Sequence, residues 1–264
     1  MTQANLQAIN DLEWRVLSLR LTIFVTEGPN FDPTQLWVEA VGDEPEEEQN
    51  RPRSGEFTRV GQVGGMRLRL LLQPGRVDLL VDVNAENPLE SAEPITLSAT
   101  PWGPARELID RVANVLLGDV TVAANRLAFG AILVQAVEDA RSGYQALDIL
   151  LDTVAIDPDG SSDFAYQINR RRKSKVMPTL AINRLSKWGV IGQGTMRLRL
   201  SMAPEGHVST SHMTTDIIEH AVRLEIDINT VLEEPNVLPK DHLISLFEEL
   251  VNLGVEIAEQ GDIL

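Results

Sequence analysis

The densest chemistry in this sequence is cationic. Tyr166-Gln-Ile-Asn-Arg170-Arg171-Arg172-Lys173-Ser-Lys175 is followed closely by Ile182-Asn-Arg184-Leu-Ser-Lys187-Trp188, so cations interleave with two aromatic rings. Guanidinium forks match carboxylates and phosphates, and rings beside them would stack on bases. Three occupants suit such a segment: an acidic protein or a second copy of the chain, single-stranded nucleic acid, or the protein's own acidic surface. The formal charge of the whole chain is −16, which opposes sequence-independent binding to polyanions. The expectation is therefore a protein partner or self-association through residues 166–190, with nucleic acid as the alternative occupant of the same hairpin.

A second constellation is His212, Asp216 and His220, with His207 nearby. On a helix the spacing i, i+4, i+8 would align them as metal ligands for a hydrolase. The Ser-Thr-Ser and Thr-Thr around them point instead to a loop, so no metal and no cofactor is expected. Arginines form a third group. Arg20, Arg67, Arg69, Arg126, Arg197 and Arg199 fall on one side by strand parity, but Asp78, Asp82, Glu225 and Asp227 fall there too, which predicts internal pairing. Asp157, Asp159 and Asp163 around Gly160 lack the distant bidentate Glu of a calcium loop, since residue 168 is Ile. They read as a turn. Gly189, Gly192 and Gly194 read as a turn or bulge, not a phosphate cradle. No nucleophile elbow, P-loop or zinc-protease motif is present, and with no cysteine there is neither a thiolate site nor a disulfide. The expectation is a non-enzymatic binding or adaptor protein.

The elements that must position these groups follow from periodicity. Residues 14–25 alternate as a half-buried strand, with Leu17, Leu19, Leu21, Ile23 and Val25 on one side. Asp32 caps a short helix carrying Leu36 and Val38. Residues 42–55, charged and proline-bearing, read as a mobile acidic loop. A strand at 56–63 precedes a hairpin, 66–72 and 77–83, that turns at Gln73-Pro-Gly-Arg76 and sets Arg67 opposite Asp82. A short strand at 94–99 leads to a helix capped by Thr100 and stopped by Gly118, with a stripe of Leu108, Ile109, Val112, Val115 and Leu116. The second half reads as a strand at 126–137, then a helix with a Ser142–Gln145 capping box and a Leu147, Leu150, Leu151, Val154 face. Strands follow at 163–171, 177–185 and 194–202, then a polar loop at 204–215 and a strand through 217–228. A closing helix spans 240–259, its Glu248, Glu249 and Glu256 facing water.

Two phrases recur in order. Gly65-Met-Arg-Leu-Arg-Leu70 returns as Gly194-Thr-Met-Arg-Leu-Arg-Leu200, and the acidic-apolar run ending at Asn84 returns as the run ending at Asn229. A duplicated unit is implied, with pseudo-repeats 1–122 and 123–264 in one α+β body: a curved antiparallel sheet with helices on one face. That element order resembles the repeat of the TATA-box-binding protein, where two units share one curved sheet. The resemblance implies the architecture alone, because none of that family's DNA-contacting residues maps here. Leu224-Glu-Ile-Asp-Ile-Asn229, a spacer and a Leu- and Phe-rich acidic helix are similar to the C-terminus of a sporadically distributed bacterial family of about this length, without assigned function. That likeness implies a bacterial accessory protein, for which a defence or toxin-neutralising role would fit. The polar N-terminal start and the absence of a long apolar run predict a cytoplasmic location and no membrane partner.

Overall fold

The computed structural model describes residues 13–26, 32–83, 99–118, 123–202, 208–231 and 237–262, with backbone alone for 193–202 and 208–218. Eleven strands form one antiparallel sheet: β1 (Arg15–Val25), β2 (Glu47–Arg51), β3 (Glu56–Val63), β4 (Met66–Gln73), β5 (Arg76–Val83), β6 (Thr100–Pro101), β7 (Ala124–Val137), β8 (Ala165–Asn169), β9 (Arg172–Lys173), β10 (Ala181–Met202) and β11 (Val208–Thr230). Four helices accompany them among the described residues: α1 (Pro33–Val41), α2 (Trp102–Gly118), α3 (Ala140–Leu150) and α4 (Leu243–Gln260). The main strand order is β2-β3-β4-β5-β1-β7-β11-β10-β8. About the β1–β7 joint, β5, β4 and β3 on one side correspond to β11, β10 and β8 on the other, with β2 added at one end, and each half runs strand, helix, strands, helix. The protein is thus an α+β fold of two pseudo-repeats in one curved sheet. Superposing the run that ends at Val83 on the run that ends at Ile228 lays Asp82 on Asp227. The two-fold axis then passes through the Leu19–Ala131 pair, flanked evenly by Ser18–Ile132 and Arg20–Gly130.

One face of the sheet carries the helices. α1 and α2 pack over β1, β3 and β5, while α3 and α4 pack over β7, β10 and β11. The core between them holds Leu19, Leu21, Leu68, Leu79, Ile109, Leu116, Phe129, Leu224, Leu246 and Leu250, all close to zero exposure. Burying each such side chain stabilises the fold by about 1.5–3 kcal/mol before chain entropy is counted. No described helix is long and apolar enough to cross a membrane.

Several expectations shift. A bulge between Val16 and Ser18 sets Leu17 off the ladder, so Val16 joins the buried side of β1. On α1 the buried residues are Leu36, Trp37 and Ala40, and Val38 is exposed. Its cap is as read, Thr34 N donating to Asp32 Oδ1 at 2.8 Å. The acidic stretch contains an edge strand, because Glu47–Arg51 pairs with Glu56–Val60 across a turn. The Arg67–Asp82 pairing is as expected. Thr100 and Pro101 pair with β1 rather than opening a helix, and α2 begins at Trp102. The cap of α3 is Asp139, which accepts from Ser142 N, rather than Ser142 itself. That hydrogen bond holds the Asp139 carboxyl below its usual range.

The largest shift concerns β10 and β11. The strands expected at 177–185 and 194–202 belong largely to one strand running through Gly189, Gly192 and Gly194, with a bulge at Gln193/Gly194. The polar loop expected at 204–215 is strand from Val208 onward. β8 pairs with β10 only as far as Gly189, and β7 pairs with β11 only as far as His220. The remaining lengths pair with each other alone among the described residues, as a two-stranded extension. The second Met-Arg-Leu-Arg-Leu lies there, Met196 opposite Thr215. The residue matching Arg67, opposite the aligned aspartate, is Leu185 opposite Asp227. The repeated phrase therefore marks equivalent strands but not equivalent positions. His207 and most of the strand expected at 94–99 fall outside the described residues.

Candidate functional site

The basic segment is anchored by the end of α4. Gly261, at φ 74, turns the chain out of the helix while its N–H still bonds to Ile257 O at 2.9 Å. A left-handed residue suits glycine, which has no Cβ to clash. Asp262 N then donates to Leu150 O at 3.1 Å, which points the carboxylate beneath β8. Arg170 donates to it twice, Nε to Oδ1 at 2.6 Å and Nη2 to Oδ2 at 2.8 Å. Tyr166 OH donates at 2.6 Å and Thr153 Oγ1 at 3.3 Å. The Asp262 side chain is only 3% exposed. The Arg170 fork holds its carboxyl below the usual range against the opposing effect of burial, with help from Tyr166. The same contact raises Arg170, and burial together with Asp262 raises the Tyr166 phenol.

Two more acids on α4 continue this row. Arg172 Nη1 donates to both oxygens of Glu256, at 2.9 and 3.2 Å. Arg184 lies 3.7 Å from Glu256 with its side chain 2% exposed, and its Nε and Nη2 have no hydrogen-bond partner. Burial, with repulsion from Arg172, lowers its affinity for the proton, which Glu256 partly offsets. Glu249 accepts from Ser174 Oγ at 2.5 Å and from Lys175 N at 2.6 Å. Glu249 and Glu256, expected to face water, instead face the basic segment two helical turns apart.

Alternation along the segment decides which cations are available. Arg170, Arg172 and Ser174 point toward α4. Arg171, Lys173 and Lys175 are exposed, and none has an ion pair among the described residues. Arg171 Nε donates to Asn183 Oδ1 at 2.9 Å, and Lys187 Nζ reaches Glu225 at 3.4 Å. Trp188 does not stack on anything external. It is 1% exposed, donates Nε1 to Ser186 Oγ at 3.1 Å, and packs edge-on against Trp14 with ring centroids 6.1 Å apart. Of the expected site residues, Arg171, Lys173, Lys175 and Lys187 face solvent. Tyr166, Arg170, Arg172, Arg184 and Trp188 build the fold beneath them. Sequence reasoning missed Asp262, Glu249 and Glu256 as anchors, although the last two already stood seven residues apart on a helix.

The open face of the sheet bears the arginine constellation. A depression of about 580 Å³ over the two-fold axis is lined by Arg20, Arg69 and Lys187 and by Asp82, Glu225 and Asp227. Arg69 pairs with Asp82, Arg20 lies 4.0 Å from Asp227, and Arg76 lies 2.6 Å from Asp78, which also accepts from Thr22 Oγ1. Arg67 turns outward to Glu47 at 3.4 Å, and Arg126 donates to Asn229 at 2.8 Å. The charges interdigitate, as parity implied. Arg197 and Arg199 belong to the two-stranded extension.

The helical alignment behind the metal constellation is not found. His212, Asp216 and His220 lie on β11, not on a helix. At about 3.4 Å per residue, four strand positions separate backbones by about 14 Å, too far for one ion. Asp157 accepts from Asp159 N at 3.1 Å, and Asp159 pairs with Arg141 at 2.8 Å, which makes the aspartates a closed turn. No protein-family model matches the chain, and no curated protein matches it.

Proposed function

We propose that this protein acts by binding rather than catalysis, and that the exposed row Arg171, Lys173 and Lys175 docks an acidic partner. One observation carries the reading. Within a single segment the inward Arg170 and Arg172 meet Asp262 and Glu256, whereas the outward cations, at a free end of the sheet, meet no acid among the described residues. An unpaired cationic row on a chain of net charge −16 selects an oppositely charged surface mainly through long-range attraction. Nucleic acid fits the site less well, because Trp188 is buried and the Tyr166 hydroxyl is held by Asp262. No aromatic platform for bases is left in the segment.

The test reverses only the outward charges. Arg171→Glu, Lys173→Glu and Lys175→Glu together should abolish retention on immobilised poly-glutamate and leave the melting temperature within about 6 °C of the parent, since each exposed substitution changes stability by about 0.5 kcal/mol or less. Undiminished retention would overturn the reading. Binding of an RNA or DNA oligonucleotide in preference, with a steep salt dependence, would replace it with the nucleic-acid alternative.

A further inference from the structure

One buried cation meets no hydrogen-bonding acid. The Arg184 side chain is 2% exposed, and its Nε and Nη2 have no hydrogen-bond partner. Its backbone is held on both sides: Arg184 N donates to Asn169 Oδ1 at 3.0 Å, and Arg184 O accepts from Arg170 N at 3.0 Å. A guanidinium keeps its proton at ordinary pH, so the charge stays where the strand buries it. The carboxylates nearby are already engaged. Asp262 accepts two bonds from Arg170 and one each from Tyr166 and Thr153. Arg172 Nη1 holds both oxygens of Glu256, and Arg184 stands 3.7 Å from that group, beyond hydrogen-bond reach. Glu249, two turns away, is taken by Ser174 and the Lys175 N–H. Three guanidiniums thus share Asp262 and Glu256, which leaves the cluster one positive charge in excess. A buried charge without compensation is costly.

A cavity of about 10 Å³ lies against Arg184. Ser186 lines it as well, 3% exposed, and its Oγ accepts from Trp188 Nε1 at 3.1 Å, which leaves the hydroxyl proton to donate. Ile168 and Ile257 supply apolar walls, and the Asp262 carboxylate on the rim is neutralised by Arg170. Size and charge together select the guest. The volume admits about one water molecule, so a carboxylate or a phosphate is too large. Water would satisfy the donors but leave the excess charge. A halide does both, with a small adjustment of the long Arg184 side chain.

We infer that the cavity between β10 and the C-terminal end of α4 binds one chloride-sized anion, held by Arg184 Nε and Nη2 and by Ser186 Oγ. The ion balances the buried charge beneath the basic segment and ties β10 to the end of α4. The site is independent of whether the outward row docks a partner, because none of its donors reaches the surface.

Thermal unfolding of the full chain at constant ionic strength tests this, with sodium fluoride replaced stepwise by sodium chloride or bromide. Tm should rise saturably with either ion, by roughly 3–6 °C at ten times its apparent Kd. General salt effects favour the strongly hydrated anion, so a rise on leaving fluoride marks a site. Arg184→Met removes the buried charge and keeps an unbranched side chain, and its Tm should not respond to the exchange. In crystals of the parent soaked in bromide, anomalous scattering should place an ion within hydrogen-bond distance of Arg184, a result that does not depend on the variant folding. No rise in the parent, a rise retained in folded Arg184→Met, or a cavity holding water alone would each overturn the inference. A bromide peak without the response in solution would be binding at crystal concentration only, and would overturn it too.

Discussion

Replacing Asp262 by Asn separates the structural cations from the docking ones. The Asp262 carboxylate accepts four hydrogen bonds, two of them from Arg170, whose side chain is 21% exposed against 3% for its partner. The amide would keep the volume but remove the charge, leaving a mostly buried guanidinium without its counter-ion. Deleting one member of a buried pair costs about 3–5 kcal/mol, and the water that Arg170 still reaches favours the lower end. A loss of about 3 kcal/mol corresponds to a fall in Tm of roughly 6–12 °C for a chain of this size. Chemical denaturation, with calorimetry alongside, measures it. The pH dependence follows from the sign of the shift. The Asp262 carboxyl titrates below its usual value in the folded state, so its contribution is complete above about pH 4. That contribution is lost as pH falls through the folded value, and the gap between parent and Asp262→Asn should close there. A loss under about 1 kcal/mol at neutral pH, or a gap that persists unchanged in acid, would refute the account.

Two further predictions concern packing. Trp188→Ala should cost about 3–5 kcal/mol of stability while leaving poly-glutamate retention per folded molecule unchanged; weaker retention by the folded fraction would return Trp188 to the docking surface. Gly254→Ala would normally stabilise a helix by about 1 kcal/mol. Here the added Cβ meets Phe129 Cε1 at 2.9 Å, and that ring is wedged edge-on against Trp102 and Phe247. The sign should therefore reverse, to a loss of about 1–3 kcal/mol by calorimetry.

The parts of this fold legible in the sequence are those where one local rule acts alone. The turn at Gln73–Arg76 fixes its hairpin register, so Arg67 falls opposite Asp82. The apolar stripes of α2 and α4 need a sheet to bury them, and they have one. Parity placed the arginines and acids of the open face together. What stayed hidden depends on distant contacts. Gly189 and Gly192 look like breakers, yet β8 and β11 hold the chain straight through Gly189 and β11 does so at Gly192. The charged run at Glu47–Arg51 has no apolar period because an edge strand can be exposed along its whole length. The Met-Arg-Leu-Arg-Leu echo pointed to the right architecture from positions that do not superpose. Within the basic segment, alternation was visible but its direction was not. Which cations face inward is set by Asp262 and Glu256, more than eighty residues further on.

The joint between the halves is itself a ladder, β1 against β7 from Arg15–Val134 to Val25–Ala124. Proteins that close on a ligand by hinging do so across a linker, where few bonds must break. Here any pivot would have to unzip the middle of the sheet. The molecule should respond to a load at one end as a stiff plate does, by twisting as a whole, and not as a pair of jaws.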